Sequence, residues 1–286
     1  MATEKLLQTG FYNNRFTKAS QIKIHPDNLA IGRGYAAFEF FRIINGLPFY
    51  LDRHLDRFFN TLKLLRLNVN YSRHQLQEII SEIIQKNEQL NYFIKMYALP
   101  GNSIKLNQTA RMLILPVQIE EIPSYLYDQG VSLILKEYAR FLPEAKSTNY
   151  LPSVFWQNEM EEAKASDVLY YYDNKILECS RGNIFIVKNG QIISPFKNIL
   201  KGITRSIVID IIQSHQMPFK ATEINPTDLF AADEVFISST SKLIMPVVNV
   251  KGAKIGDGKP GKISTELLNL FQIHLISNNK SLFRSN

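Results

Sequence analysis

Cysteine is almost absent from this chain, since Cys179 is the single one among 286 residues. A disulfide within the chain and a cysteine-based metal cage are therefore excluded, because each needs more than one thiol. The five histidines are spread along the chain and never form an H-x-x-x-H pair. The sequence thus predicts no metal site, and a reducing cytoplasm is the expected location.

Long apolar runs are missing as well. A membrane-spanning helix needs about 18 or more predominantly apolar residues, and no stretch of the chain supplies them. The N-terminal sequence "MATEKLLQTG" has no apolar core of the kind that a signal peptide carries. The sequence therefore predicts neither membrane insertion nor export.

Basic residues are in excess, but they are not clustered. The formal charge is +7, yet Lys and Arg alternate with acids, as in "LDRHLDR", and no run of five basic residues occurs. Nucleic-acid binding is not expected, because basic patches with interleaved aromatic residues are absent. A basic balance also suits a pocket that attracts anionic small molecules. A noncatalytic basic binding protein is the alternative from another functional class.

The apolar pattern predicts an α/β (α+β) protein of two domains. The β-rich segment "AAFEFFRII" ends in the turn "NGLP", and residues 51–67 and 75–88 repeat apolar residues at helical spacing, the second behind a Ser72 cap. We predict a small N-terminal domain at residues 1–118, a proline-bearing linker at 119–130 and a larger cofactor-binding domain at 131–286. In that larger domain, strands alternate with helices expected near residues 154–164, 204–213 and 264–276.

One lysine stands in unusual company. Lys146 lies in "LPEAKSTNYLPSV", among small, hydroxylated and apolar residues and ahead of an expected helix. Burial would lower the pKa of such a lysine and make its amine a nucleophile. Further along come "ILECSRGNIF", "LKGITRS" and "DEVFISSTSKLIMPV", and upstream lies "LDRHLDRF".

Together these pieces resemble the class IV pyridoxal-phosphate aminotransferase family, from about residue 33 to residue 261. The family includes branched-chain and D-amino-acid aminotransferases and aminodeoxychorismate lyase. The resemblance implies a two-domain fold type IV enzyme that holds pyridoxal 5'-phosphate between its domains and acts as a homodimer. Its implied substrates are a small-molecule amino acid and a 2-oxo acid.

The resemblance also assigns roles to individual residues. Lys146 corresponds to the lysine that forms the Schiff base and later moves the substrate proton. Glu178 corresponds to the acid that keeps the pyridine nitrogen protonated, and Tyr150 to the tyrosine on the phenolic oxygen. The phosphate-binding positions correspond to Arg57, Ile203, Thr204, Ser239 and Thr240. The first turn of a helix after Gly202 suits a phosphate because its amide groups point outward.

The substrate is ambiguous. Arg33 is expected to begin the strand that lines the substrate pocket in the family, and Arg181 lies three residues after Glu178. Two guanidinium groups there would bind substrate carboxylates, and similar arginines mark an atypical group of D-amino-acid aminotransferases. The usual arginine and histidine of D-amino-acid enzymes are not evident near residues 95–97. Phe40 replaces the glycine that follows "FE" in branched-chain enzymes. D-amino acids are therefore the expected donors, with branched-chain L-amino acids and lyase chemistry as alternatives.

Two features are expected to be uninvolved in catalysis. The segment "GDGKPG" satisfies a dinucleotide-binding pattern, but Pro260 lies inside it and too little chain follows for the rest of a βαβ unit. We expect it to be a loop that the family shares. Cys179 has no histidine nearby in sequence, so we expect it to pack rather than to react.

Overall fold

A computed structural model of the chain describes residues 4–102 and 108–282. Two compact units are present. The first unit contains the residues up to Glu121 together with Ala145–Asn149, and the second contains Ile122–Glu144 and the chain from Tyr150 onward. The segment with Lys146 therefore belongs to the first unit, although it lies within the range of the predicted C-terminal domain. The predicted linker boundaries remain a prediction.

The first unit is an antiparallel sheet covered by two helices. Its strands are β1 (Glu4–Leu6), β2 (Thr9–Tyr12), β3 (Arg15–Lys18), β4 (Ala37–Ile44), β5 (Leu47–Pro48), β6 (Leu67–Asn68), β7 (Tyr92–Leu99), β8 (Gln108–Thr109) and β9 (Arg111–Ile119). Its helices are α1 (Leu29–Arg33), α2 (Leu51–Leu65) and α3 (Arg73–Gln85), with a short 3-10 turn at Ala19–Gln21. The main sheet has the order β3-β2-β9-β7-β4-β5, with β1 beside β9, while β6 and β8 pair separately.

Strand β4 shows why this sheet has one buried face. Its residues alternate between buried and half-buried positions, which places Glu39 and Phe41 on the same side. That side packs against α2 and α3 through residues such as Leu55 and Ile80. The β4–β5 turn has positive φ at both Asn45 and Gly46, the geometry that an Asn-Gly hairpin favours. A charged residue, Glu39, thus shares the apolar interior of this unit.

The second unit contains a mixed sheet and six helices among its described residues. Its strands are β10 (Val131–Glu137), β11 (Ala165–Tyr172), β12 (Lys175–Cys179), β13 (Gly182–Lys188), β14 (Gln191–Ser194), β15 (Phe219–Ala221), β16 (Glu234–Ser239), β17 (Leu243–Val250) and β18 (Ala253–Lys254). Its helices are α4 (Tyr125–Gln129), α5 (Leu151–Phe155), α6 (Gln157–Glu162), α7 (Ile203–Ser214), α8 (Pro226–Phe230) and α9 (Lys262–Leu282).

The mixed sheet closes on itself. The strand order is β12-β11-β10-β17-β16-β13-β14-β15, and β12 also pairs with β13. The run from β12 to β13 is therefore a ring, and its last pairing joins Glu178 to Asn183. The predicted hairpin at Asn189 and Gly190 is present between β13 and β14.

Most predicted elements are confirmed, with ends that shift by a few residues. The helix expected over residues 154–164 is wrong as a single element. It is split into α5 and α6 because Trp156 leaves helical geometry, with ψ of 14°. Pro152 occupies the first turn of α5, where the missing amide hydrogen is tolerated.

Candidate active site

Lys146 is held by its backbone within the first unit. Its carbonyl oxygen accepts from the Phe38 amide of β4 at 2.9 Å, and its own amide donates to Thr61 Oγ1 of α2 at 3.1 Å. A bridge between Ala37 and Ser147 continues this pairing. The Lys146 Nζ lies 4.1 Å from the centre of the Phe38 ring. Strand β4 and helix α2 together therefore fix the backbone position of Lys146, and its amine lies against the Phe38 ring.

A buried ion network lies between the same two elements. Glu39 is fully buried on β4, and Arg57 of α2 donates to both of its oxygens, at 2.9 Å from Nε and 2.5 Å from Nη2. His54 Nδ1 lies 3.1 Å from Glu39 Oε1. Because His54 and Arg57 are three residues apart on one helix, both reach the same carboxylate. The two-point contact with Glu39 sets the plane of the Arg57 guanidinium.

The charge states in this network follow from its contacts. Burial alone would raise the pKa of Glu39, but Arg57 and His54 outweigh burial and hold that pKa well below its ordinary value. Burial lowers the pKa of His54, and nearby Arg57 and Lys146 lower it further against the opposing effect of Glu39. Glu39 is therefore an anion beside a neutral imidazole at physiological pH.

The second unit holds Glu178 at the end of β12, where it is buried. Its Oε2 accepts from the Leu200 amide at 3.0 Å, and its Oε1 lies 3.4 Å from Arg140 Nη1. The Arg140 guanidinium also lies 5.3 Å from the centre of the Tyr150 ring. Burial would lower the pKa of Arg140, but Tyr150 and Glu178 outweigh burial and raise it. Arg140 thus brings together two residues that the sequence assigned to the cofactor.

The predicted phosphate-binding positions of the second unit lie where expected along the chain. Ile203 and Thr204 are the first residues of α7, and the residue before them, Gly202, has no side chain that could cap their amide groups. Such a helix start has amide donors and the positive end of the helix dipole directed outward. Ser239 ends β16, and Thr240 follows it. Helix α7 also packs on β16.

The two arginines predicted to bind substrate lie in different units. Arg33 is exposed and ends helix α1, where its Nη1 donates to the Gly32 carbonyl at 2.8 Å. The expectation that Arg33 begins a strand is wrong, because β4 begins only at Ala37. The intervening chain passes through Gly34 in the left-handed region, which ends the helix. Arg181 is exposed in the turn between β12 and β13. Their substrate roles remain predictions.

A second buried ion pair supports the turn that carries Arg181. Asp167 of β11 is almost fully buried, and its Oδ2 accepts from Lys242 Nζ at 3.0 Å. Its Oδ1 accepts from Ser180 Oγ at 2.5 Å. Burial would raise the pKa of Asp167, but Lys242 and Arg181 outweigh burial and lower it. The turn next to Glu178 is therefore tied to the neighbouring strand β11.

The dinucleotide-like segment has a structural explanation. A Cβ atom at Gly261 would overlap the carboxylate of Glu234, and one at Gly256 would overlap the Asp233 carbonyl. The Glu234 carboxylate accepts from the amides of Ile263 at 2.9 Å and Ser264 at 2.8 Å, and so it caps the start of α9. Gly261 therefore makes room for the Glu234 side chain, and Gly256 makes room for the backbone of Asp233.

Cys179 lies within the core of the second unit. Its side chain is buried, and burial, assisted by Asp167, raises the pKa of its thiol well above the usual value. A thiol in this state is a poor nucleophile. Both observations agree with the expectation that Cys179 packs rather than reacts.

Three residues that interact with the predicted site residues within the two units were not singled out from the sequence. Glu39 had a signal, because it is a charge inside the otherwise apolar segment "AAFEFF". His54 could have been noticed for sharing a helix face with Arg57. Arg140 carries no local signal, because its partners Glu178 and Tyr150 come from other parts of the chain.

Metal-binding clusters and membrane-spanning helices are both missing among residues 4–102 and 108–282. No group of three or more His, Cys, Asp or Glu side chains there is arranged to hold a metal ion. No helix in the same part of the chain has both the length and the apolar character needed to cross a membrane.

Comparison with known proteins assigns the family. The model of the family "Amino-transferase class IV" matches residues 36–250. The chain is 28% identical over 269 residues to a D-alanine aminotransferase of Listeria innocua, covering 91% of this chain and 93% of that protein. It is 29% identical over 275 residues to a D-alanine aminotransferase of Staphylococcus aureus, covering 93% and 98%.

Solved structures show the same relationship. A T.th. branched-chain amino acid aminotransferase with pyridoxamine 5'-phosphate superposes with a TM-score of 0.86 at 25% identity, covering 93% of each chain. The same enzyme complexed with N-(5'-phosphopyridoxyl)-L-glutamate gives a TM-score of 0.85 at 26% identity, with the same coverage. The family match spans well over half of the chain and the fold agrees along nearly all of it. The chain therefore belongs to the class IV aminotransferase family, with the fold type IV architecture, and is an aminotransferase.

Proposed function

We propose that this aminotransferase uses pyridoxal 5'-phosphate attached through Lys146 and takes its amino groups from D-amino acids, with 2-oxo acids as acceptors. The observation that carries the cofactor assignment is the buried carboxyl group of Glu178, which lies between Arg140 and the Leu200 amide. The relatives that support the donor assignment are the D-alanine aminotransferases.

The residues present fit this cofactor chemically. A protonated pyridine nitrogen needs a buried anion, and Glu178 is 3% exposed. A phosphate needs amide donors that no side chain already caps, and the start of α7 after Gly202 supplies such donors. An aldehyde needs an amine on a fixed backbone, and Lys146 is anchored by Phe38 and Thr61.

Each residue then has a defined task. When bound, the cofactor supplies an aldehyde that carries the amino group and a ring that accepts electrons from the substrate Cα. Lys146 Nζ takes the proton from the substrate Cα as general base. Glu178, which is buried beside Arg140 and accepts from the Leu200 amide, would hold the proton on the ring nitrogen. Glu39 fixes the orientation of the Arg57 guanidinium, and the resemblance assigns this guanidinium to the cofactor phosphate.

The attachment point is tested by borohydride reduction followed by peptide mass mapping. We expect one pyridoxyl label in the wild type, on the peptide that contains Lys146. Lys146→Ala should remove the label and abolish transamination, because it removes both the attachment point and the general base. Lys63→Ala, which changes an exposed lysine on α2, serves as the control and should retain both. A label on any other lysine would refute the assignment.

The donor is tested with a panel of D- and L-amino acids and 2-oxoglutarate or pyruvate as acceptor. We expect turnover with D-alanine or D-glutamate to exceed turnover with L-leucine or L-valine. The reverse order would support the second candidate, a branched-chain L-amino-acid aminotransferase, which the structural similarity to such enzymes favours. Release of pyruvate from aminodeoxychorismate without an acceptor would instead indicate the lyase.

Arg33 and Arg181 are proposed to bind substrate carboxylates. Both side chains are exposed, so their guanidinium groups are accessible to a small anion. Arg181→Ala should raise the KM for both donor and acceptor with a smaller effect on kcat, because the contact exists before the chemical step. Unchanged KM values for both substrates would exclude this role.

A homodimer is proposed on the basis of an exposed apolar surface in the second unit. Leu151, Val154 and Phe155 are all exposed on the short helix α5, Phe155 by 75%. Adjacent exposed apolar side chains of this size are typical of surfaces that another chain covers. Light scattering coupled to gel filtration should give twice the chain mass of 32.9 kDa. A monomer at micromolar concentration would contradict the proposal.

The cytoplasmic location stays a prediction from the low cysteine content.

A further inference from the structure

We propose that Asn183 is a positioning residue that holds Glu178 and the start of α7 at a fixed separation. This role rests on the proposed cofactor, because these are the elements of the second unit assigned to its ring nitrogen and its phosphate. Asn183 itself is not assigned to contact the cofactor. Its effect would pass through the backbone of residues 200–202.

Asn183 lies where the ring of strands closes. It is the second residue of β13, and it pairs with Glu178 of β12 on one side and with Ser238 of β16 on the other. Only 4% of its surface is exposed. Burying a side-chain amide without hydrogen-bond partners is unfavourable, so a buried amide at this position is expected to have partners.

The nitrogen end of the amide holds Leu200. Asn183 Nδ2 donates to the Leu200 carbonyl oxygen at 2.8 Å, and both groups are buried. The amide of the same residue, Leu200, donates to Glu178 Oε2 at 3.0 Å. One peptide segment is therefore fixed from both sides, by Asn183 at its carbonyl and by Glu178 at its amide.

The oxygen end of the amide meets Gly202. A Cβ atom built at Gly202 would overlap Asn183 Oδ1. The backbone of Gly202 has φ of −63° and ψ of 137°, a conformation that any residue adopts, so glycine is not required for its torsion angles. Glycine is required here for space, because the side chain of Asn183 lies against the residue that begins α7.

The Asn183 side chain thus fixes the positions of both the Glu178 carboxylate and the start of α7. The Glu178 carboxylate and the first amides of α7 both depend on residues 200–202, and Asn183 contacts this segment at both of its ends. A rigid ligand that must meet an anion at one end and amide donors at the other gains affinity when both are fixed in advance.

Arg205 adds a second anchor for α7, since it donates to Ser194 Oγ at 3.1 Å and to the Pro195 carbonyl at 2.8 Å.

The test measures the Kd of the apo protein for pyridoxal 5'-phosphate by absorbance titration, besides activity. Asn183→Ala should raise this Kd about tenfold or more, the effect expected when one buried hydrogen bond is lost and its carbonyl is left unpaired. Asn225→Ala is the matched control, because Asn225 caps α8 in the same unit. It should lower the melting temperature and leave the Kd unchanged. An unchanged Kd in folded Asn183→Ala would overturn the proposal.

Two further variants separate positioning from general stability. Asn183→Asp keeps the size and Oδ1 but replaces the donor with an oxygen that repels the Leu200 carbonyl, so its Kd should also rise. Gly202→Ala should weaken binding through overlap with Oδ1, and the double variant Asn183→Ala/Gly202→Ala should bind more tightly than Gly202→Ala alone. The role would be refuted if the losses of binding free energy in the two single variants simply add in the double variant. An unchanged Kd in Asn183→Asp would refute it as well. Failure of the wild type to bind the cofactor would refute the proposed function instead.

Discussion

Replacing Asp167 by asparagine should strongly destabilise the second unit. Asp167 is 1% exposed and accepts hydrogen bonds from Lys242 and Ser180. The change leaves the Lys242 ammonium, whose side chain is only 13% exposed, without its counter-charge. Removing one partner of a buried ion pair is unfavourable by about 3–5 kcal/mol. Lys242 keeps its hydrogen bond to the Ser166 carbonyl at 3.0 Å, so we expect a loss near the lower end of that range.

The effect should depend on pH in a defined direction. The contacts of Asp167 lower its pKa from the ordinary value of 3.8. A carboxyl group with a lowered pKa in the folded state contributes its full stabilisation above the unfolded pKa and loses it as the pH falls toward the folded pKa. The difference in unfolding free energy between the wild type and Asp167→Asn should therefore be full near pH 6 and shrink below about pH 4.

Urea unfolding followed by tryptophan fluorescence measures this difference, because the single tryptophan, Trp156, lies in the same unit. Glu223→Gln provides the control, since Glu223 forms an exposed pair with Lys175 at 3.3 Å in that unit. An exposed pair contributes at most about 1 kcal/mol. A loss in Asp167→Asn no larger than in Glu223→Gln would refute the reasoning, as would a difference that does not shrink in acid.

Three further outcomes are expected. Ser72→Ala should lower the unfolding free energy of the first unit by about 1 kcal/mol in urea, because it removes the capping box at the start of α3; no change would argue against the cap. Gly261→Ala should destabilise the protein by about 1–3 kcal/mol, because the added methyl group displaces Glu234 from the start of α9; an unchanged melting temperature would contradict this. Cys179 should react with a thiol reagent only after urea unfolding, because it is buried and the pKa of its thiol is raised; rapid labelling of the native protein would show otherwise.

In both buried ion networks, a buried carboxylate fixes the position of neighbouring polar or charged side chains. Glu39 fixes the guanidinium of Arg57, and Asp167 fixes Ser180 and Lys242 around the turn that carries Arg181. In each case a buried acid orients groups near residues assigned to anionic ligands. Such orientation is useful for binding phosphates and carboxylates, because a donor that is already fixed loses less entropy on binding.

The sequence by itself determined the elements that local patterns encode. The helical spacing of apolar residues defined α2 and α3, and the Asn-Gly pairs at 45–46 and 189–190 defined two hairpins. These predictions succeeded because each depends on residues only a few positions apart. The order of the short sequence motifs around Lys146 and Glu178 was sufficient to recognise the family. The predicted single helix across Trp156 was wrong, because Trp156 leaves helical geometry. The strand predicted to begin at Arg33 was wrong as well, because Arg33 ends α1 and Gly34 is left-handed.

Only the tertiary structure decided which groups meet. Lys146 is fixed by Thr61, which lies 85 positions earlier, and Glu178 accepts from Leu200, which lies 22 positions later. The contact between Asn183 and Gly202 could not be read from "ECSRGNIF" or "LKGITRS" alone, because it arises where the ring of strands closes. Local sequence preferences fix the periodicity of each element, whereas the charge states of Glu39 and Asp167 and the spacing of the site depend on burial and on partners distant in the chain.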